Sequence, residues 1–153
     1  MSTDRSEIGQ PAAEAEELLR RLIRFNTVNP PGSERAAQEH LAAHLTNAGF
    51  HCELLGAEPG RPNLIAKLRA ADAPPISEPA GGGPTLCYLG HVDTVLADAS
   101  EWTHDPWSAD IAEGFLWGRG SLDMKSQVAA EVAAQQAHMR GIRQDLRAGG
   151  GAA

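Results

Sequence analysis

The sequence predicts an α/β domain with a partial, mixed or mostly parallel sheet flanked by helices. Helical periodicity appears twice before any strand pattern and once after the last one. Four short apolar or alternating runs lie between, separated by segments rich in Gly, Pro and Asn. The chain has 153 residues, 42% hydrophobic and 22% charged, enough for one domain with a core.

Residues 1–11 read as a loose polar tail. From Ala12 to Phe25 the pattern is helical: Leu18, Leu19, Leu22 and Ile23 fall on one stripe. Acids lead and bases follow, which suits the helix dipole. Asn29-Pro30-Pro31-Gly32 forbids helix and marks a connection. Ser33 is the expected N-cap of a second helix, with Ala37, Leu41, Leu45 and Ala48 inward and Gly49 as its stop. His40 and His44 stand four apart on it, a metal-compatible spacing. No acid accompanies them as in HExxH, so packing or a solvated face is the expected role.

Phe50–Leu55 alternates as a strand, and Asn63–Leu68 reads as another. Residues 69–84 read as a surface loop rich in Ala, Pro and Gly. Thr85–Leu89 is short and apolar, the pattern of a strand buried on both faces. Residues 97–110 form an irregular connection. Phe115–Trp117 reads as a short strand, and Ser126–Met139 as a helix with Val128, Ala129, Val132, Ala133 and Ala137 inward. Residues 141–146 read as a helix exit leading into a further strand. The Gly/Ala run of 147–153 cannot pack as a core strand. The expected organisation is therefore a tail at 1–11, one α/β unit at 12–146 and a Gly/Ala tail at 147–153. The expectation is a chain that stops, or changes reading frame, partway through a fold.

Net charge is −7, with acids and bases mixed and no basic cluster interleaved with aromatics, which argues against a nucleic-acid binder. Cys52 and Cys87 form no CxxC pair and lie in apolar runs, so both are expected to be buried free thiols. The first residues lack the pattern of a signal peptide, and no apolar run is long enough to span a bilayer. The cytoplasm is the expected location.

Two segments carry chemistry. In Leu89-Gly90-His91-Val92-Asp93-Thr94-Val95 an imidazole and a carboxylate stand two apart after an apolar run. In extended backbone both project to one side, and the carboxylate can fix the imidazole's tautomer and raise its basicity. The same pair would also serve a Ser-His-Asp triad, but no G-x-S-x-G elbow supplies a nucleophile. Taken alone, the pair also suits a histidine with a chance acidic neighbour. Gly118-Arg119-Gly120-Ser121-Leu122-Asp123-Met124-Lys125 matches neither phosphate-binding glycine pattern. It reads either as a glycine turn entering a capped helix or as a rigid turn holding Asp123 beside His91. Trp102, His104, Trp107 and Trp117 fit an aromatic cage less well than edge packing.

With Phe25-Asn26-Thr27-Val28-Asn29-Pro30-Pro31-Gly32 and Asp105-Pro106-Trp107 through Lys125, these segments resemble the co-catalytic zinc peptidase and amidohydrolase superfamily. That group includes aminoacylases, acetylornithine deacetylases, succinyl-diaminopimelate desuccinylases and glutamate carboxypeptidases. The resemblance spans residues 12–146 and implies the N-terminal part of a co-catalytic zinc exopeptidase catalytic domain. It implies that His91 binds a zinc, that Asp93 orients His91 in a catalytic role, and that Asp123 bridges two metals. A cis peptide at Asp123-Met124 is also implied.

The implied cofactor is a pair of zinc ions, with cobalt or manganese as substitutes. The implied substrate is a small peptide or N-acyl amino acid, with neither nucleic acid nor membrane as partner. The full-length protein is implied to be capable of homodimerising. The resemblance also implies a Glu-Glu pair, a further carboxylate and a late histidine after Leu146. None of these is present, and Glu131 lacks the context to replace them. The expectation is a metal-dependent amide hydrolase whose present chain is inactive alone and marginally folded. A binding-only pseudoenzyme or truncated product is the alternative.

Overall fold

The computed structural model describes residues 9–69 and 86–149. Helix α1 (Gln10–Arg24) carries Pro11 in its first turn, where its fixed φ suits the helix, and buries Leu18, Leu22 and Ile23. Helix α2 (Arg35–Asn47) buries Ala37, Leu41 and Leu45. Its N-cap is Glu34 rather than Ser33, and that side chain does not cap. The buried Glu34 carboxylate instead receives Arg61 at 3.0 Å, tying the start of α2 to the turn before β2.

Strands β1 (His51–Leu55) and β2 (Asn63–Lys67) pair antiparallel, with Cys52 opposite Ala66 and Leu54 opposite Leu64. Phe50, Cys52, Leu64 and Ala66 face the core formed by Leu18, Leu22, Ala37, Leu41, Leu45, Val92, Ala129 and Val132. The period-two alternation expected from the sequence is therefore what the sheet uses.

The α/β class holds, and both two-stranded sheets among the described residues are antiparallel rather than mixed or mostly parallel. A second antiparallel pair, β3 (Ile111–Ala112) with β4 (Phe115–Leu116), closes over Glu113 and Gly114, both at positive φ. The single parallel bridge among the described residues joins Val28 to Thr94. The sequence reading missed β3, because two residues carry no periodicity.

Three further expectations need correction. Residues 86–89 do not form a buried strand: they are unpaired, with Leu86 74% and Leu89 90% exposed. A strand buried on both faces needs bonded neighbours on both sides, and among the described residues none lies beside it. Cys87 is accordingly exposed, and Cys52 is half-buried. Residues 141–146 are not a helix exit, because α3 runs from Lys125 to Gly149. A lone Gly141 costs about 1 kcal/mol in a helix, and the Arg, Gln, Leu and Ala that follow are good helix formers with no proline among them. The loop expected at 69–84, beyond Arg69, and the ends of both expected tails lie outside the described residues.

Helix α3 packs against α1, and one side chain fixes their relation. Lys125, fully buried, donates from Nζ to the carbonyls of Leu22 and Phe25, each at 2.9 Å. These are carbonyls at the C-terminal end of α1, where the helix dipole favours a cation. Burial lowers the Lys125 pKa to about 8, against a smaller opposing pull from Asp93.

Removing the ammonium leaves two interior carbonyls short of a donor. At about pH 10, where the folded chain has largely shed that proton, Lys125→Met is expected to lower the unfolding free energy by about 1–3 kcal/mol in chemical denaturation. The lysine also predicts a pH dependence. Below pH 8 both folded and unfolded chains carry the charge, and the folded chain bears the full burial cost, roughly 3 kcal/mol. Between pH 8 and 10.5 the folded chain sheds the proton first, so its stability rises. In EDTA, the stability of the wild type relative to Lys125→Met is therefore expected to rise over that interval. A difference independent of pH would contradict the assignment.

Candidate metal centre

The site is assembled from two segments pinned to the end of α1. After α1, Thr27 donates from Oγ1 to the Val92 carbonyl at 2.5 Å. Thr94 N donates to Thr27 O at 3.0 Å, and Asn29 N donates to Thr94 O at 2.9 Å. This short parallel ladder keeps residues 91–94 extended, so His91 and Asp93 project together as the spacing anticipates. Gly90 brings the same segment against α3: a Cβ there would lie 2.8 Å from Val128 Cγ2.

The second segment is the glycine turn before α3. Arg119 N donates to Pro106 O, and Lys125 N to Gly120 O. Gly120, at φ +85°, packs so closely that a Cβ would lie 2.9 Å from Thr94 Cγ2 and 3.0 Å from Lys125 Cδ. The turn is thus pressed onto the His91–Asp93 segment. The Asp123-Met124 peptide is cis, as the resemblance implies.

His91 Nδ1 lies 2.9 Å from Asp93 Oδ1, and its Nε2 lies 3.3 Å from Asp123 Oδ1. The other Asp93 oxygen accepts from Asn29 Nδ2 at 3.2 Å. Asp93 is partly shielded, whereas the Asp123 side chain is 87% exposed. The three residues named from the sequence therefore meet, over a separation of about thirty residues.

The electrostatics are one-sided. With its Nδ1 proton directed to Asp93, a neutral imidazole presents the bare lone pair of Nε2 to a carboxylate oxygen. Two acceptors face each other until a cation, a second proton or a metal ion, comes between them. Two ligands about 2.1 Å from a tetrahedral metal stand about 3.4 Å apart, so 3.3 Å fits such a pair. The same distance also fits a hydrogen bond from imidazolium. Among the described residues, no group of three or more His, Cys, Asp or Glu donors closes around one metal position.

A cavity of about 350 Å³ opens at these residues, lined also by Asn29, Thr94, Trp102, Arg119 and Ser121. The tryptophans do not make a cage. Trp117 donates to Ala112 O and meets the His104 ring at a tilt, bracing β3 and β4, while Trp102 lies under the Arg119 guanidinium. On α2, the His40 ring packs tilted against Phe25, and burial lowers its pKa, with Arg21 and His44 adding to that effect. His44 bonds Gln136, so both histidines serve packing rather than the site.

Sequence reasoning assigned no role to Asn29, Thr27, Thr94 or Lys125. Asn29 and Thr27 stand in a quoted segment, but nothing local reveals which distant strand they meet.

Residues 87–147 match the protein family described as Peptidase family M20/M25/M40. The chain is 40% identical over 119 residues to succinyl-diaminopimelate desuccinylase of Wolbachia pipientis subsp. Culex pipiens, covering 77% of this chain and 27% of the relative. It is 39% identical over 134 residues to the enzyme of that name in one strain of Methylorubrum extorquens, covering 84% and 31%. It is 42% identical over 125 residues to that of Paracoccus denitrificans, covering 81% and 29%. The chain thus spans less than a third of the length of these relatives.

Gly120→Ala is expected to cost about 1–3 kcal/mol, because the added methyl meets Thr94 and Lys125 at a left-handed φ. In the folded fraction it should separate Asp123 from His91. Thermal denaturation and the histidine NMR resonances check both effects. A stability equal to that of wild type would mean the turn is not pressed onto the site.

Proposed function

This chain belongs to peptidase family M20/M25/M40, and from that premise we propose that it is part of the catalytic domain of a metal-dependent hydrolase of amide bonds. The observation that carries the reading is that His91 Nε2 lies 3.3 Å from Asp123 Oδ1 while Nδ1 lies 2.9 Å from Asp93 Oδ1. Zinc suits a nitrogen and oxygen donor pair, as do cobalt and manganese. His91 and Asp123 would hold the metal. Asp93 would act through His91, fixing its tautomer and orientation, with Asn29 steadying Asp93 from behind.

A bound metal pair supplies polarisation of the scissile carbonyl and activation of water. The residues of this chain hold and orient. Among those described, they offer no carboxylate placed as a general base beside His91, since Asp93 is committed to His91 and Asn29. Two zinc ions are proposed for the complete enzyme, with a small peptide or N-acyl amino acid as substrate. The relatives' names point to acylated amino acids. A homodimer of the full-length protein and a cytoplasmic location belong to the same reading. Among the described residues, no helix is long and apolar enough to cross a membrane.

Groups of a catalytic site act together, so a partial donor set does not give a proportionate rate. The chain by itself is therefore expected to bind zinc or cobalt weakly. Calorimetric titration should show His91→Ala and Asp123→Asn abolishing binding and Asp93→Asn weakening it by about 10–100-fold. Binding unchanged in His91→Ala would sink the assignment. The isolated chain is also expected to release no amino acid from N-acyl amino acids in zinc or cobalt. Turnover at an enzymatic rate would show that the residues present suffice.

A further inference from the structure

We propose that Arg61 is a positioning residue for the candidate metal centre, acting through Gly32 and Asn29 on Asp93. The inference rests on the metal reading above and extends it to a residue that does not line the cavity.

The orientation of Asp93 depends on where Asn29 stands. Asn29 donates from Nδ2 to Asp93 Oδ2 at 3.2 Å, and from its backbone N to Thr94 O at 2.9 Å. The residues that follow have little means of holding themselves. Pro30 and Pro31 carry no N–H, so of residues 30–32 only Gly32 can donate a backbone bond. It donates to Val28 O at 2.9 Å, closing a loop around Asn29.

Arg61 lies on that closure. Gly32 is at φ +83°, and a Cβ there would lie 2.8 Å from both Cδ and Cζ of Arg61. The arginine therefore fills the space of a side chain at residue 32, and only glycine admits it. Its guanidinium is locked in turn: Nε donates to Glu34 Oε2 at 3.1 Å, and Nη2 to Oε1 at 3.0 Å. Glu34 is 6% exposed, so this is a two-pronged bond on a shielded carboxylate, stronger and more directional than a surface pair.

The backbone of Arg61 is fixed as well. Its N–H donates to Glu58 O at 3.0 Å, and a Cβ on Gly56 would lie 3.0 Å from its carbonyl oxygen. Arg61 thus clamps the loop of Asn29 against the start of α2. Its pKa is raised, first by the hydrogen bond with Glu34 and then by the charge of Glu34, with Glu58 and Asp93 adding to the effect. Asp93 is therefore within its electrostatic reach. Because Glu34 neutralises the guanidinium, the clamp contributes geometry rather than charge to the centre.

The test uses Arg61→Lys, which keeps a positive charge beside Glu34 but loses the planar fork that covers Gly32. Zinc binding to the full chain is followed by calorimetry for wild type, Arg61→Lys, Asn29→Ala and the double variant. We expect Arg61→Lys to weaken zinc binding about threefold to tenfold, less than the loss of a direct partner of a ligand. The double variant should bind no more weakly than Asn29→Ala, because the arginine acts through that residue. Unchanged binding in Arg61→Lys, or losses that multiply in the double variant, would overturn the proposal. A merely structural arginine would lower the stability and show no such coupling. Should a variant fail to fold, the wild type decides. Linkage then requires zinc to slow exchange of the Arg61 Nε–Hε proton, followed by NMR, and an unmoved rate removes the role. Should the wild type bind no zinc, the metal reading fails by itself. The ring-nitrogen resonances of His91 in EDTA, at about pH 9, then decide the positioning role. A change of about twofold in the tautomer ratio in Arg61→Lys keeps that role, and an unmoved ratio removes it.

Discussion

The buried ammonium of Lys125 is the constraint on which the arrangement of the site depends. A cation without water must be surrounded by acceptors, and the end of α1 supplies them in the carbonyls of Leu22 and Phe25. This links the first residue of α3 to the last turn of α1 across about a hundred positions of sequence. Asp123 lies two residues earlier, on a turn whose other end is held by Pro106 O. Thr27, two residues past Phe25, holds Val92 and Thr94 and so sets the segment carrying His91 and Asp93. One helix end therefore positions both halves of the candidate metal centre.

Around that anchor the polar side chains form a graded chain of contacts. Asn29 steadies one Asp93 oxygen, the other Asp93 oxygen steadies His91 Nδ1, and His91 Nε2 faces Asp123. Each step moves outward, from partly shielded Asp93 to the largely exposed Asp123. The inner members are held by two partners each, whereas Asp123 has contact on one side only. An orientation gradient of this kind keeps the imidazole fixed while leaving the outer carboxylate free to adjust to a cation.

The surroundings of the site are less well covered than its foundations. Leu86, Leu89, Val95, Leu96 and Leu122, all near the His91 and Asp123 segments, are exposed. The core reaches the site from beneath through Val92, which packs in one cluster with Leu22, Leu41 and Ala129. Apolar side chains exposed beside a polar cavity contribute no burial energy there. The site is therefore held by hydrogen bonds, by close glycine packing at Gly90 and Gly120, and by Val92 in the core beneath it.

The sequence by itself determined the helices, the β1–β2 alternation and the three residues of the candidate centre. Local periodicity dictates which face of Leu18, Leu22, Leu41 or Ala129 is buried, and a spacing of two residues places His91 beside Asp93. It misjudged residues 86–89, because an apolar run states a need for burial without stating whether neighbours exist to meet it. It also ended α3 too early, since the cost of one glycine is small against the favourable residues beyond it. Only the tertiary structure decided that Asp123 faces His91, that Lys125 is a buried cap of α1, and that Arg119 stacks on Trp102 with its Nε unpaired. Those contacts join positions far apart in the chain, and charge, hydrogen-bonding capacity and burial at such meetings belong to the pair, which no local pattern of either partner records.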